Sequence, residues 1–467
     1  MKALEFFNNT RKECLDDLFD FIRIPSVTRD RNAVKEAADW LMKRLKKTAD
    51  YVELLDTLGN PVVLAKWNTQ NNNNIRQKVP SILFYGHYDV QPPEPLDEWI
   101  SPPFEPEIRD GRIYARGVGD NKGQLFANLR AIECIHRFNE LAVDVIFVFD
   151  GEEELGSPNL EKALEKKSEL FKDVDLIIIS DGPADPTWKP TLEFGARGIQ
   201  TIQINLQSAN EDVHSGNFGG IQPNPMWDLI SILKTMRNDC GKCLIEGFYD
   251  DVFTPSKAAL DAVKELNRNP EVYKQQLGID YFGEELDQPL SHRVMFRPTF
   301  NIRGIQSGSV RGKAKTIIPK DAVIEIDVRL VPNQTPEKIE KLFLAHLDKI
   351  GQKSERMAAV IDRCEIKFGA SFYPMFTSLE LQWTKILEES IEEGFQEKSL
   401  KIPLAGGSLP LYSLYKIIKK PIYIIPYAQP DEANHAPNEN LMVEWFEKGV
   451  KTSIVLLRRL GNEEIEK

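Results

Sequence analysis

Three stretches of this chain are almost wholly apolar: SILFYGH (81–87), VDVIFVFD (143–150) and VDLIIISD (174–181). A strand can be apolar on both sides only where both faces of its sheet are covered, which is the condition of a parallel sheet wrapped by helices. The intervening KGQLFANLRAIECIHRF (122–138) and PNLEKALEKKSELF (158–171) supply such helices, with apolar residues recurring along one stripe. Strand–helix–strand alternation predicts an α/β unit with a mostly parallel sheet flanked by helices. In such sheets ligands bind beyond the carboxyl ends of the strands. His87, Glu153, Glu154 and Asp181 all lie at those ends.

The flanking sequence extends this layout. Val34, Ala37, Ala38, Leu41 and Leu45 have helical spacing, PVVLAKW (61–67) reads as a strand, and the Asn-rich 68–78 reads as a solvated loop. Asp110-Gly111 predicts a hairpin turn. From about Gly195 the pattern changes to period two, as in GIQTIQINLQSA and AVIEIDVRLVP, which belongs to antiparallel strands with one wet face. The strands around 198–209, 296–308, 322–332 and 364–368, with helices at 226–238 and 336–350, predict a four-stranded sheet carrying two helices on one face, a small α+β domain of ferredoxin-like kind. Longer helices and the strand PIYIIPY (421–427) come after it. The expected organisation is a catalytic domain made of 1–195 and 373–467, interrupted by an inserted lid and dimerisation domain over 196–372.

Composition narrows the partners. At 467 residues, 42% hydrophobic and 28% charged, the chain can build large cores, and no apolar run approaches the length of a membrane span. A net charge of −12 argues against nucleic acid or an anionic membrane as partner. The acidic, amphipathic start reads as a helix rather than a signal peptide. Five cysteines, an odd number, describe no disulfide framework, so the expected location is the cytoplasm. Cys240 and Cys243 form one C-x-x-C pair with no second pair at zinc-finger spacing, and read as two thiols at a helix end.

The chemistry resides in a set of carboxylate and imidazole groups. His87 stands in GHYDVQP, Asp120 in RGVGDNKG, Glu153 and Glu154 in GEEELGS, Asp181 in ISDG and His435 in NHAPNE. Carboxylate oxygen and imidazole nitrogen are the donors that divalent metals such as zinc take. In order, GHYDVQP, the W-x-x-P-P-F segment at Trp99–Phe104, GRIYARGVGDNKG, GEEELGS, the Ser-Asp strand end, HSGNFGG, GGSLP and NHAPNE resemble the M20 metallopeptidases, from about residue 15 to about 455. Chain length, the contexts of Asn301 and Arg329, and the spelling of HSGNFGG resemble the carnosinase-like dipeptidase branch most.

The resemblance implies roles. His87 and Asp181 would bind one metal, Glu154 and His435 a second, and Asp120 would bridge them; zinc is the family's usual ion, with manganese or cobalt as alternatives. Glu153 would be the general base, Asp89 would orient the His87 ring, and Asp120-Asn121 would be joined by a cis peptide bond. His214 would stabilise the oxyanion, in many relatives across a homodimer formed through the inserted domain. Asn301, Arg329, Gly406, Gly407 and Ser408 would contact substrate, Arg329 by pairing with its free carboxylate. The implied activity is hydrolysis of dipeptides or short peptides with a free C-terminus. An N-acyl-amino-acid amidohydrolase would use the same centre, so the small-molecule partner is a peptide or an N-acyl amino acid.

Simpler readings apply to the remaining candidates. His136, His292 and His346 read as packed side chains, EESIEEG (388–394) as a solvated helix face, and Glu152 as a solvated neighbour of the catalytic pair. AGGS lacks the Lys-Ser/Thr of a phosphate loop. Residues 245–295 carry no usable motif. The presence of every ligand and the base argues against an inactive relative.

Overall fold

A computed structural model describes residues 2–69, 79–266, 268–283, 287–309 and 315–461; most of the Asn-rich 68–78 lies outside them. In chain order the principal strands are β1 (Tyr51–Leu55), β2 (Val62–Trp67), β3 (Ser81–His87), β4 (Asp144–Asp150), β5 (Leu176–Ile179) and β6 (Thr191–Glu193). They continue as β7 (Gly198–Gln207), β8 (Thr299–Ser307), β9 (Asp321–Leu330), β10 (Cys364–Phe372), β11 (Leu400–Ile402) and β12 (Ile422–Ile424).

Two compact units result: 1–195 with 377–403 and 410–467, and 196–376 with 404–409. The first unit is built on an eight-stranded sheet of order β1-β2-β4-β3-β5-β12-β6-β11. Its centre, β4, β3, β5 and β12, is parallel, and the β1–β2, β2–β4 and β12–β6 pairs are antiparallel. Every residue of β3 is buried, as its composition requires. The helix Lys122–Arg137 packs on β3 and against the last helix, Val443–Leu460. The β4 register sets His87 opposite Asp150, so the functional strand ends are level. The expected hairpin forms, with Asp110 at φ 48 and Gly111 at φ 76, the left-handed pair such a tight turn requires.

In the second unit the order β8-β9-β7-β10 is wholly antiparallel. Its buried residues, Ile324, Ile326 and Val328 of β9 among them, form one core with Leu229 and Ile232 of helix Pro225–Met236 and with Phe343 and Leu347 of helix Pro336–Gly351. That is the α+β arrangement the period-two pattern predicts.

Two boundaries differ from expectation: residues 373–376, expected in the catalytic portion, fall in the second unit. The sequence pattern puts residues 404–409 with the catalytic portion, but they belong to the second unit: Ala405 bridges to Ala196, and Arg197 donates Nε and Nη2 to the Gly406 carbonyl at 3.0 and 2.8 Å. Among the described residues no helix is long and apolar enough to cross a membrane.

Candidate metal centre

His87 is the last residue of β3, and Asp181 lies two residues beyond β5. Asp120 precedes the helix Lys122–Arg137, and its bond to Asn121 is cis. Glu153 and Glu154 open a single 3-10 turn after β4, and His435 sits in the loop after β12. These elements bring the side chains together. Asp120 divides its two oxygens between two imidazoles: Oδ1 is 3.0 Å from His87 Nε2, and Oδ2 is 3.0 Å from His435 Nε2. Asp181 Oδ2 is 3.7 Å from His87 Nε2, and Glu154 Oε2 is 3.3 Å from His435 Nε2. Two donor triads result, His87–Asp120–Asp181 and Asp120–Glu154–His435, each with its ligand atoms within 4.8 Å of one another. Glu153 borders the first, its Oε2 3.9 Å from His87 Nε2.

The scaffolding beneath is dense. The Asp89 backbone carbonyl is 3.0 Å from His87 Nδ1 and its carboxylate is 3.5 Å away. That same carboxylate accepts from the amides of Glu153 and Glu154, both at 3.2 Å. Asp89 therefore ties the histidine to the glutamate turn, a wider job than ring orientation alone. Asn121 donates Nδ2 to Asp181 Oδ1 at 2.9 Å and to the Ser180 carbonyl at 2.6 Å, and accepts from the His87 amide at 3.3 Å. Gly86 leaves room for this: a Cβ there would stand 2.9 Å from Asn121 Oδ1.

Glu439, the last residue of NHAPNE, received no role from sequence reasoning. Its buried carboxylate accepts from Arg116 Nη1 (2.8 Å) and from the amides of Gly117 (3.0 Å), Gly119 (2.9 Å) and Asp120 (3.0 Å). It thereby fixes the loop that presents Asp120; its place in the motif was the available signal. Gly117 adopts φ 84, a conformation glycine takes without a Cβ penalty. The reading of Glu152 needs correction: it is buried, because its carboxylate turns inward to accept from the Asn60 amide at 2.9 Å and Asn159 Nδ2 at 2.7 Å.

Burial and the neighbouring charges set the protonation of the cluster. Burial pushes the Glu153 carboxyl well above the usual range; His87 opposes this, and Asp181, Asp120 and Glu154 reinforce it. Burial likewise lifts Asp181 to about 6. Burial also raises Glu432, whose two oxygens have no hydrogen-bond partner among the described residues, well above its ordinary value, with Asp120 and Glu439 adding to the effect. Burial works against ionisation of Asp120, yet hydrogen bonds with His435 and His87 hold its pKa far below the carboxylate range. Asp120 and Glu154 raise His435 to about 10. For His87, burial lowers the pKa, but Asp120, Asp89, Asp181 and Glu153 outweigh it and leave the ring well above its usual range. Several buried carboxylates thus crowd around two imidazoles, and Glu154 Oε1 is buried with no hydrogen-bond partner among the described residues. Bound divalent cations would relieve that crowding, and the N/O donor set suits them.

The other candidates lie in the second unit. His214 is exposed and caps the short helix Ser215–Phe218, its Nδ1 accepting from the Gly216 amide at 3.1 Å. Asn301 Nδ2 donates to Asp327 at 3.0 Å. Arg329 Nη1 donates to Ser408 Oγ at 2.9 Å, beside Gly406 and the exposed Gly407. Cys240 is exposed and Cys243 buried, beyond the end of the helix Pro225–Met236.

The sequence matches peptidase family M20/M25/M40 over residues 83–459. It is 27% identical over 384 residues to the Beta-Ala-His dipeptidase of Homo sapiens, covering 82% of this chain and 74% of the relative. With the Cys-Gly metallodipeptidase of Candida albicans it shares 30% identity over 475 residues, 92% of this chain and 91% of the relative. The M20 family metallo-carboxypeptidase of Sulfolobus solfataricus matches in structure with a TM-score of 0.85 at 32% identity, covering 97% of this chain and 100% of that one.

Proposed function

Because the chain belongs to peptidase family M20/M25/M40, we propose that it is a metal-dependent exopeptidase that hydrolyses dipeptides or short peptides with a free C-terminal carboxylate. The observation that carries this reading is the pair of donor triads sharing Asp120, with Glu153 at their edge. His87 and Asp181 would hold one ion and Glu154 and His435 the other, with one Asp120 oxygen for each. When bound, two divalent ions, zinc before manganese or cobalt, would polarise the scissile carbonyl and acidify water. Glu153 would take the proton of that water and deliver it to the leaving amine. Burial raises its pKa, which makes it a stronger proton acceptor for the first half of this task. Asp89 acts as a positioning residue through His87 and the two glutamate amides. His214 would stabilise the oxyanion, and Arg329 would pair with the substrate carboxylate, supported by Asn301 and the Gly406–Gly407–Ser408 loop.

A homodimer through the inserted domain and a cytoplasmic location belong to the same proposal. If His214 acts across subunits, mixing Glu153→Ala and His214→Ala variants restores up to about a quarter of the activity by random exchange into hybrid dimers, and persistently inactive hybrids exclude it. The functional test is a panel of dipeptides beside N-acetyl- and N-succinyl-amino acids. Turnover of dipeptides, abolished by chelator and by Glu153→Ala, supports the peptidase; turnover of the acylated compounds alone moves the chain to the amidohydrolase reading.

A further inference from the structure

His87, Asp89 and Gln91 stand at alternate positions of GHYDVQP. Along an extended backbone, alternate side chains project to the same side. The extended path continues past the end of β3, because Val90 forms a parallel bridge with Val27. The Val90 amide donates to the Ser26 carbonyl at 2.9 Å, and its carbonyl accepts from the Thr28 amide at 3.0 Å. Gln91 then precedes Pro92, a position that sterics restrict to extended conformations. The Pro92 carbonyl in turn accepts from Arg116 Nη2 at 3.2 Å. The third side chain of the row is thus presented from a segment held on both sides.

Its target is Glu154. Gln91 Nε2 donates to Glu154 Oε2 at 2.8 Å, the oxygen that stands 3.3 Å from His435 Nε2. The Glu154 side chain is 3% exposed, and its Oε1 has no hydrogen-bond partner among the described residues. Asp89 already holds the Glu154 amide at 3.2 Å, so Gln91 secures the other end of the same residue. A carboxylate can only accept, so the glutamine turns its NH2 group to it and fixes its direction without cancelling its charge. A lysine or arginine in that place would pair with the charge a cation needs. The two triads also differ in exposure. His87–Asp120–Asp181 is wholly buried, whereas His435 of the other is half exposed and lies in a loop at φ 57. With one ligand so open, the second triad depends the more on a fixed Glu154.

We propose that Gln91 is a positioning residue for one ion only, that of the Asp120–Glu154–His435 triad, holding the Glu154 carboxylate in place while leaving its charge to the ion. The inference rests on the reading of a two-ion centre. It adds a residue that the motif contains and that the roles given to His87 and Asp89 leave unused. Partners that orient metal ligands typically set affinity by about 10–100-fold.

The test is zinc binding by the full chain, read as ions per chain against a competing chelator. The parent should take up two ions. Gln91→Met, similar in length and without the donor, should weaken one ion by about 10–100-fold and leave the other within about twofold. In His435→Ala, which lacks a ligand of the affected ion, adding Gln91→Met should change the remaining ion by no more than about twofold. Gln91→Lys keeps a donor but adds a charge, and should bind the affected ion as weakly as Gln91→Met does. Equal weakening of both ions, as from a general disturbance of the segment, overturns the inference. So does an unchanged affinity in Gln91→Met, or full recovery in Gln91→Lys. Each of these leaves the two-ion centre standing, because the parent still binds two. A parent that takes up no ion overturns the centre, and the inference with it.

Discussion

Replacing Glu439 with glutamine alters one carboxylate oxygen, and the hydrogen-bond geometry around that carboxylate determines the damage. Oε2 serves Arg116 and the Gly117 amide; Oε1 serves the amides of Gly119 and Asp120. A glutamine carbonyl can replace one oxygen, but its NH2 group then faces two donors it cannot accept from. An orphaned buried donor costs about 1–3 kcal/mol, and Arg116, 1% exposed, loses the charge that balances it. The expected loss is about 3–5 kcal/mol, the range for breaking one side of a buried pair. Urea unfolding reads this as a lower midpoint at constant slope. Because the Asp120 amide is one of the four donors, metal affinity in a chelator competition should weaken as well. Arg116→Met combined with Glu439→Gln should cost less than the sum of the single changes, since the two share one interaction. A Glu439→Gln protein within about 0.5 kcal/mol of the parent, with unchanged metal affinity, would refute the claim that this carboxylate holds the Asp120 loop.

The same physics gives three further outcomes. Stripping metal should lower Tm, and restoring zinc at about a thousandfold over Kd should return about 4 kcal/mol; a Tm indifferent to both would contradict the centre. Asp150 is pushed up to about 6 by burial first and then by the charge of Asp89, from an ordinary 3.8. Its folded pKa exceeds its unfolded one, so its contribution is full below about pH 4 and is lost as pH rises through 6, by about 3 kcal/mol. The stability gap between the parent and Asp150→Asn should therefore shift in favour of the variant between pH 4 and 7, and a gap independent of pH would contradict this. Burial raises the Cys14 thiol to about 12 and Cys134 to about 11, so native thiol labelling at pH 8, mapped by peptide mass, should reach exposed Cys240 well before either.

The parallel sheet was legible because strands buried on both faces appear as apolar runs, and β3, β4 and β5 fall inside the three apolar runs of the sequence. The second sheet was legible for the opposite reason: in β9 buried and less buried residues alternate without a break from Ala322 to Leu330. Convergence of His87, Glu154 and Asp181 could be inferred because each ends or follows a strand of one sheet, whereas Asp120 and His435 joined them only through the family resemblance. Tertiary partners were not legible. Glu152 looks like any turn glutamate until Asn60, 92 residues earlier, is folded against it. Glu439 acquires its task from a loop some 320 residues away. The passage of 404–409 to the second unit depends on Arg197 and Ala196, and nothing local announces it.

The central claim is a two-ion centre bridged by Asp120 and served by Glu153. The most direct test is metal content per chain, measured together with dipeptide turnover in the parent, Asp120→Asn and Glu153→Gln. The account predicts about two ions in the parent, loss of both metal and turnover in Asp120→Asn, and metal retained with turnover down by at least about a hundredfold in Glu153→Gln. An Asp120→Asn protein that keeps both ions, or a Glu153→Gln protein that keeps its rate, would contradict it.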